Sequence, residues 1–174
     1  MNFQDEFRDR ELVRNMAANI RRMAERLNAP ATFMEVCGTH TMSIYQYGIR
    51  SLLPENVRLI SGPGCPVCVT PVDYVDKAIA CATDPVNIVA TFGDMLRVPG
   101  SSSSLMEERA QGADVRIVYS PRDAVALAQA NPGRRAIFLG VGFETTTPTI
   151  AASIMDAARL NLKNYFVLAS HKTI

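Results

Sequence analysis

Apolar residues gather along this chain in short runs at 32–36, 57–60, 87–91, 115–119, 136–140 and 165–169, with longer amphipathic stretches between them. Stretches such as Ile88-Val89-Ala90 within 87–91 and Ala136-Ile137-Phe138-Leu139-Gly140 are continuously apolar. That is how strands buried on both faces read. The intervening stretches predict helices near 9–27, 41–52, 71–81, 104–111, 121–129 and 147–160. Two carry start signals: Thr70-Pro71 with Asp73, and Ser120-Pro121 with Asp123, each offering a capping side chain, a proline for the first turn and an early acid. Regular alternation of this kind predicts an α/β fold, a parallel-dominated sheet with helices on both faces in three α/β/α layers.

The connections predict more than the elements. Cys37 follows the first strand, Cys65 and Cys68 the second, Phe92-Gly93-Asp94 the third and Gly142-Phe143-Glu144-Thr145-Thr146 the fifth. All are carboxyl ends, and in an open parallel sheet those ends share the edge where ligands bind.

Composition narrows the setting. Lys and Arg number 18 against 17 Asp and Glu, so no strong field draws the chain to nucleic acid or to an anionic membrane. Residues 1–14 mix charges without an apolar core of a leader, and no apolar run is long enough to span a bilayer. A cytoplasmic protein is expected. Four cysteines in 174 residues are too few for a disulfide scaffold, and a close pair in a reducing compartment points to redox or metal chemistry.

Cys65-Pro66-Val67-Cys68, led in by Gly62-Pro63-Gly64, is the strongest local signal. Two residues between thiols suit a disulfide across a tight turn or two bonds to one metal, and the helix expected from Pro71 favours thiolate nearby. Two buried structural cysteines are the plainer alternative. Cys37-Gly38-Thr39-His40 places a thiol and an imidazole at ligand spacing, although each alone is as often packing or a loop contact. Converged, the four would make the Cys3His set of a structural zinc site, leaving a zinc-stabilised binding module and a thiol-disulfide oxidoreductase both open. Gly140-Val141-Gly142 lacks the third glycine and the lysine of phosphate loops, so Glu144, Thr145 and Thr146 are read as hydrogen-bonding groups or caps. Asp94 and Arg97 suit an exposed ion pair equally well, Cys81 sits in a helical pattern as core, and His171 has no assigned role.

Several blocks together resemble one family. Met34-Glu35-Val36-Cys37-Gly38-Thr39-His40, Leu53-Pro54-Glu55-Asn56-Val57, the run from Gly62 to Pro71, Thr91-Phe92-Gly93-Asp94 with Arg97-Val98-Pro99-Gly100, the run from Gly112 to Pro121, and the run from Gly142 to Thr146 are similar to the hydrogenase maturation (expression/formation) protein HypD family. The resemblance implies an assembly scaffold with redox activity rather than a stand-alone enzyme. On it, with the small chaperone HypC, an iron ion of nickel-iron hydrogenase receives two cyanides and a carbon monoxide, the cyanide arriving through HypE as a thiocyanate-like group. Carried over, it makes Cys37 the iron ligand with His40 beside it, Cys65 and Cys68 the redox pair, and Glu144, Thr145 and Thr146 site-lining. Thiolate suits low-valent iron, and a neighbouring dithiol can supply electrons. Members of the family are roughly twice this length, with a four-iron four-sulfur cluster in the second half. Cys81 is the only spare cysteine here, so the cluster's ligands are expected to be absent and the chain to be an N-terminal part. On this reading residues 1–145 form the N-terminal α/β domain and 146–174 begin a second α/β region.

Overall fold

The computed structural model describes residues 9–174, so of the stretch 1–14 read for a leader the first eight residues lie outside the described ones. The chain divides into two compact units, Met1–Cys65 and Pro66–Ile174, and the division falls inside the Cys-Pro-Val-Cys motif.

In the first unit, helix α1 (Arg10–Ala24) starts where the Asp9 carboxylate accepts the N–H groups of Glu11 and Leu12 at 2.8 and 3.1 Å. These are donors that a helix's first turn leaves unsatisfied. At its other end the Asn56 side-chain amide donates to the Ala24 carbonyl at 2.8 Å. Strands β1 (Ala31–Glu35) and β2 (Val57–Ser61) pair in parallel, Ala31 opposite Val57 and Glu35 opposite Ser61. The crossover between them, expected as one helix over 41–52, is two: α2 (Gly38–Gln46) and α3 (Ile49–Leu52). Gly48 sits between them at φ 61°, a left-handed conformation that ends α2 and that glycine adopts without steric cost. The six expected strands therefore occur, but β1 and β2 form a sheet of their own. Their apolar side chains are not buried on both faces: Phe33 is 58% and Met34 47% exposed.

The second unit holds a four-stranded parallel sheet in the order β4-β3-β5-β6, with β3 Asn87–Thr91, β4 Val115–Ile117, β5 Arg135–Gly142 and β6 Tyr165–His171. Every residue of β3 is buried. Neighbouring strand residues point to opposite faces, and the packing follows that alternation. Val89 and Leu139 pack with Ala78 and Ala82 of α4 (Val72–Thr83) and Leu105 of α5 (Leu105–Ala110). Ala90 and Phe138 pack on the other face with Ala124 of α6 (Pro121–Ala130) and Ile150 of α7 (Thr147–Arg159). Helices on both faces of a parallel sheet are the three-layer α/β/α arrangement the sequence predicts. Burying a side chain such as Phe138 or Leu139 stabilises the fold by roughly 1.5–3 kcal/mol.

Local signals fix several joints of this unit. Ser120 and Asp123 form the reciprocal capping box expected at α6. Asp114 takes a bidentate pair from Arg116 and a further contact from Arg134, whose guanidinium also donates to the Asn87 carbonyl at 2.7 Å. That clip ties β4 to the entries of β3 and β5. Residues 146–174 supply α7 and β6, and β6 pairs with β5 from Tyr165 opposite Ala136 to His171 opposite Gly142. Among the described residues no helix is long and apolar enough to cross a membrane.

Candidate functional site

The first unit brings two of the cysteine segments to one edge. Glu35 and Ser61 are the last residues of paired parallel strands, and the Gly62 N–H donates to the Glu35 carbonyl at 2.8 Å. Cys37 and Cys65 therefore lie on segments leaving adjacent strand ends. Cys37 lies in the short connection after β1, as expected, and is the N-cap residue of α2: it is extended at φ −122° and ψ 122°, and its carbonyl accepts the first helical bond from Thr41 at 2.9 Å. His40 lies in that first turn, three residues on, where helical spacing puts it on the same side as Cys37.

Glu35 organises this corner, and sequence reasoning assigned it no role. One carboxylate oxygen accepts the Cys37 N–H at 2.9 Å and stands 3.3 Å from His40 Nδ1. The Cys37 thiol is half-buried, whereas the His40 side chain is 68% exposed. An acid two residues ahead of a helix start is the signal that marks such a contact, because the first amides of a helix need outside acceptors. On the other segment Gly64 takes φ +95°, a conformation that lets the chain turn just before Cys65 and that other residues adopt only with strain.

The second unit begins with the rest of that motif. Val67 packs against the buried cluster of Tyr74, Val75, Met95 and Val141, while Cys68 is exposed. The intervening turn is closed by the Thr70 N–H on the Val67 carbonyl at 3.1 Å and by the Thr70 hydroxyl on the Pro66 carbonyl at 2.8 Å. Thr70 thus does not cap α4 as expected. Pro71 begins that helix without a side-chain cap, and the threonine hydroxyl faces back into the cysteine turn. Cys68 and Thr70 line a cleft of about 430 Å³ with Val72, Asp94, Arg97 and Pro99.

The other sequence-selected residues lie within the second unit. Glu144, Thr145 and Thr146 follow the end of β5, with Glu144 and Thr145 exposed. The Thr146 hydroxyl donates to the Phe143 carbonyl at 2.9 Å rather than capping α7, and Glu144 accepts the Ile174 N–H at 2.8 Å. Cys81 packs half-buried beside the Ala78 and Val89 cluster, where burial pushes its thiol pKa up. His171 Nε2 is buried without a hydrogen-bond partner. Lys172, also unassigned from sequence, reaches Thr70 from the end of β6. Among the described residues no three His, Cys, Asp or Glu side chains gather as a metal-holding group.

Comparison with known proteins matches these motifs to one family. The family model described as the hydrogenase formation hypA family, HypD, covers residues 11–174. The hydrogenase maturation factor HypD of Rhodobacter capsulatus is 49% identical over 178 residues, covering 100% of this chain and 47% of that protein. Its counterpart in Escherichia coli K12 is 47% identical over 178 residues, covering 100% of the chain and 48% of the relative. For Azotobacter vinelandii the figures are 52% over 172 residues, 98% of the chain and 45% of the relative. The chain spans about half the length of the curated relatives it matches. With the family model spanning nearly all of it and full-length coverage at about half identity, the chain belongs to the HypD family of hydrogenase maturation factors.

Proposed function

We propose that this chain is the part of a HypD-type factor that holds the iron centre of nickel-iron hydrogenase while its two cyanides and one carbon monoxide are added. Iron is substrate here, delivered and later handed on. The Cys37 thiolate is its protein ligand, with His40 beside it, and Glu144, Thr145 and Thr146 line the working surface. The observation that carries this reading is the register of β1 and β2, which starts the Cys37 and Cys65 segments from neighbouring strand ends. Thiolate is a soft donor suited to low-valent iron, and the Glu35 contact fixes the backbone from which Cys37 projects.

Cys65 and Cys68 supply electrons in this proposal. Releasing cyanide from a thiocyanate-like donor, R–S–CN, takes two electrons and yields R–S⁻ and CN⁻. Two thiolates give up those electrons as they join in a disulfide, and a two-residue spacing permits that ring. The partners are a HypC-type chaperone that shares the iron and a HypE-type cyanide donor. A four-iron four-sulfur cluster elsewhere in the full-length factor regenerates the dithiol.

The test is anaerobic purification of the full-length factor with its HypC-type chaperone, followed by infrared spectroscopy of iron-bound cyanide and carbonyl stretches. The expected result is that Cys37→Ala abolishes the bands with the chaperone complex intact. Bands of full intensity in that variant would overturn the iron assignment. Cys68→Ser should leave chaperone binding unchanged and block maturation, and normal maturation would overturn the electron-donor role.

A further inference from the structure

The segment after β6 reaches the cysteine turn through one side chain. Lys172 is held at its backbone, whose N–H donates to the Gly142 carbonyl at 3.0 Å and so extends the β5–β6 ladder. Its ammonium donates to the Ser170 carbonyl at 3.0 Å, to the Ser170 hydroxyl at 2.9 Å and to the Thr70 hydroxyl at 3.4 Å. A lysine has three N–H donors, and these three acceptors account for them. Receiving that contact, the Thr70 oxygen turns its own hydrogen to the Pro66 carbonyl at 2.8 Å. The result is a directed chain from ammonium to hydroxyl to the carbonyl at the start of the turn that carries Cys68.

We propose that Lys172 is a positioning residue for the redox pair, locking the turn through Thr70 and keeping a positive charge behind the wall of the Cys68 cleft. The inference rests on the reading of Cys68 as a reactive thiol. The charged groups lining that cleft are Asp94 and Arg97 on the short 3-10 turn Gly93–Arg97, one of each sign. Lys172 adds a cation from a third element and tips the balance towards thiolate, which is the nucleophilic and electron-donating form. Burial pushes its own pKa below the ordinary lysine value.

The test is site-resolved alkylation of the reduced 174-residue chain by iodoacetamide across pH, read by mass spectrometry with Cys81 as internal reference. Unfolding curves confirm that each variant folds. Lys172→Met is expected to slow Cys68 alkylation near neutral pH about threefold, the scale of one screened charge at several ångströms, and to move its pH profile upward. Lys172→Arg should restore the profile, because charge and donors return. Thr70→Val should speed hydrogen exchange at the Thr70 amide while leaving most of the charge effect in place. Rapid Cys68 alkylation that is the same in the unaltered chain and in Lys172→Met would overturn the inference alone. Equal slowing by Met and Arg would also overturn it, since packing would then explain the effect. Cys68 reacting no faster than Cys81 in the unaltered chain would instead overturn the reactive-thiol reading on which it rests.

Discussion

Replacing Glu35 by alanine is expected to loosen the start of α2 by about a factor of ten without unfolding the chain. The carboxylate makes two contacts there, the Cys37 N–H at 2.9 Å and His40 Nδ1 at 3.3 Å. A hydrogen bond to a charged acceptor contributes roughly 1.5–3 kcal/mol, and the half-buried setting argues for the lower end. The His40 contact adds little, because a side chain 68% exposed to solvent contributes no more than a surface pair, about 0–1 kcal/mol. Together they give about 1.5 kcal/mol, close to tenfold in a local opening equilibrium. Amide hydrogen exchange resolved at Cys37 reads that opening directly. Glu35→Gln keeps an acceptor oxygen without the charge and should lose only part of the protection. Infrared bands of iron in the chaperone complex should weaken in the same order, alanine more than glutamine. If Cys37 exchanges at the same rate in the Glu35→Ala chain, the carboxylate does not hold this corner and the physical account of how Cys37 is placed fails.

The other predictions test separate parts of the structure. The Asp114 carboxyl is held below its ordinary value, first by its hydrogen bond from Arg116 and, against the opposing effect of burial, by Arg134, so its contribution to stability is present at neutral pH. That contribution is lost as pH falls below the unfolded carboxylate value of about 3.9 and through the depressed folded one. Urea titrations should show a gap between the unaltered chain and Asp114→Asn that is constant near neutrality and closes in acid; a gap independent of pH would refute the linkage. Mild oxidation followed by peptide mapping should yield a Cys65–Cys68 crosslink, and both thiols remaining alkylatable would count against the redox pair. Cys37→Ala should cost more bound iron in the chaperone complex than Cys81→Ala, since Cys81 packs against the core; equal losses with folding intact would remove the distinction.

The strands were the most legible part of the chain. β3 is legible because Ile88-Val89-Ala90 reads as the centre of a strand buried on both faces, and the structure buries every residue from Asn87 to Thr91. The start of α2 was hidden because nothing there advertises it. Its first residues are Gly38, Thr39 and His40, weak helix formers, and Cys37 offers no capping oxygen. Thr70 misled for the opposite reason. It is a good capping residue placed before a proline, but the Pro66 carbonyl lies within reach of its hydroxyl and takes that bond. Lys172 could not be singled out in advance, since its partner Thr70 is brought near only by the folded unit; Glu35 carried a local signal, an acid just ahead of the α2 start, but one that reads as a role only once that start is known. The separation of β1 and β2 from the larger sheet was equally out of reach, because parallel pairing partners are not encoded in the periodicity of either strand.

Burial also bears on where the proposed chemistry would sit. In the second unit β3 and β5 are packed on both faces, so their amides should open only with the whole unit. β1 and β2 form a two-stranded sheet with much of its apolar surface exposed, the kind of element that opens at lower free energy. The proposed role of Cys37, taking iron from a partner and releasing it again, is compatible with a thiol that is not sealed in a core, and Cys37 follows directly on the more exposed pair. What limits its freedom is local: the ladder of β1 on β2, the Gly62 bond to the Glu35 carbonyl, and the Glu35 carboxylate on the Cys37 amide. Cys68 follows the same plan by different means, with its neighbour Val67 sunk into a buried cluster and its own thiol left exposed. In both motifs a group beside the cysteine is anchored while the cysteine itself is less buried, an arrangement that would suit the proposed scaffold, whose substrate would arrive on another protein.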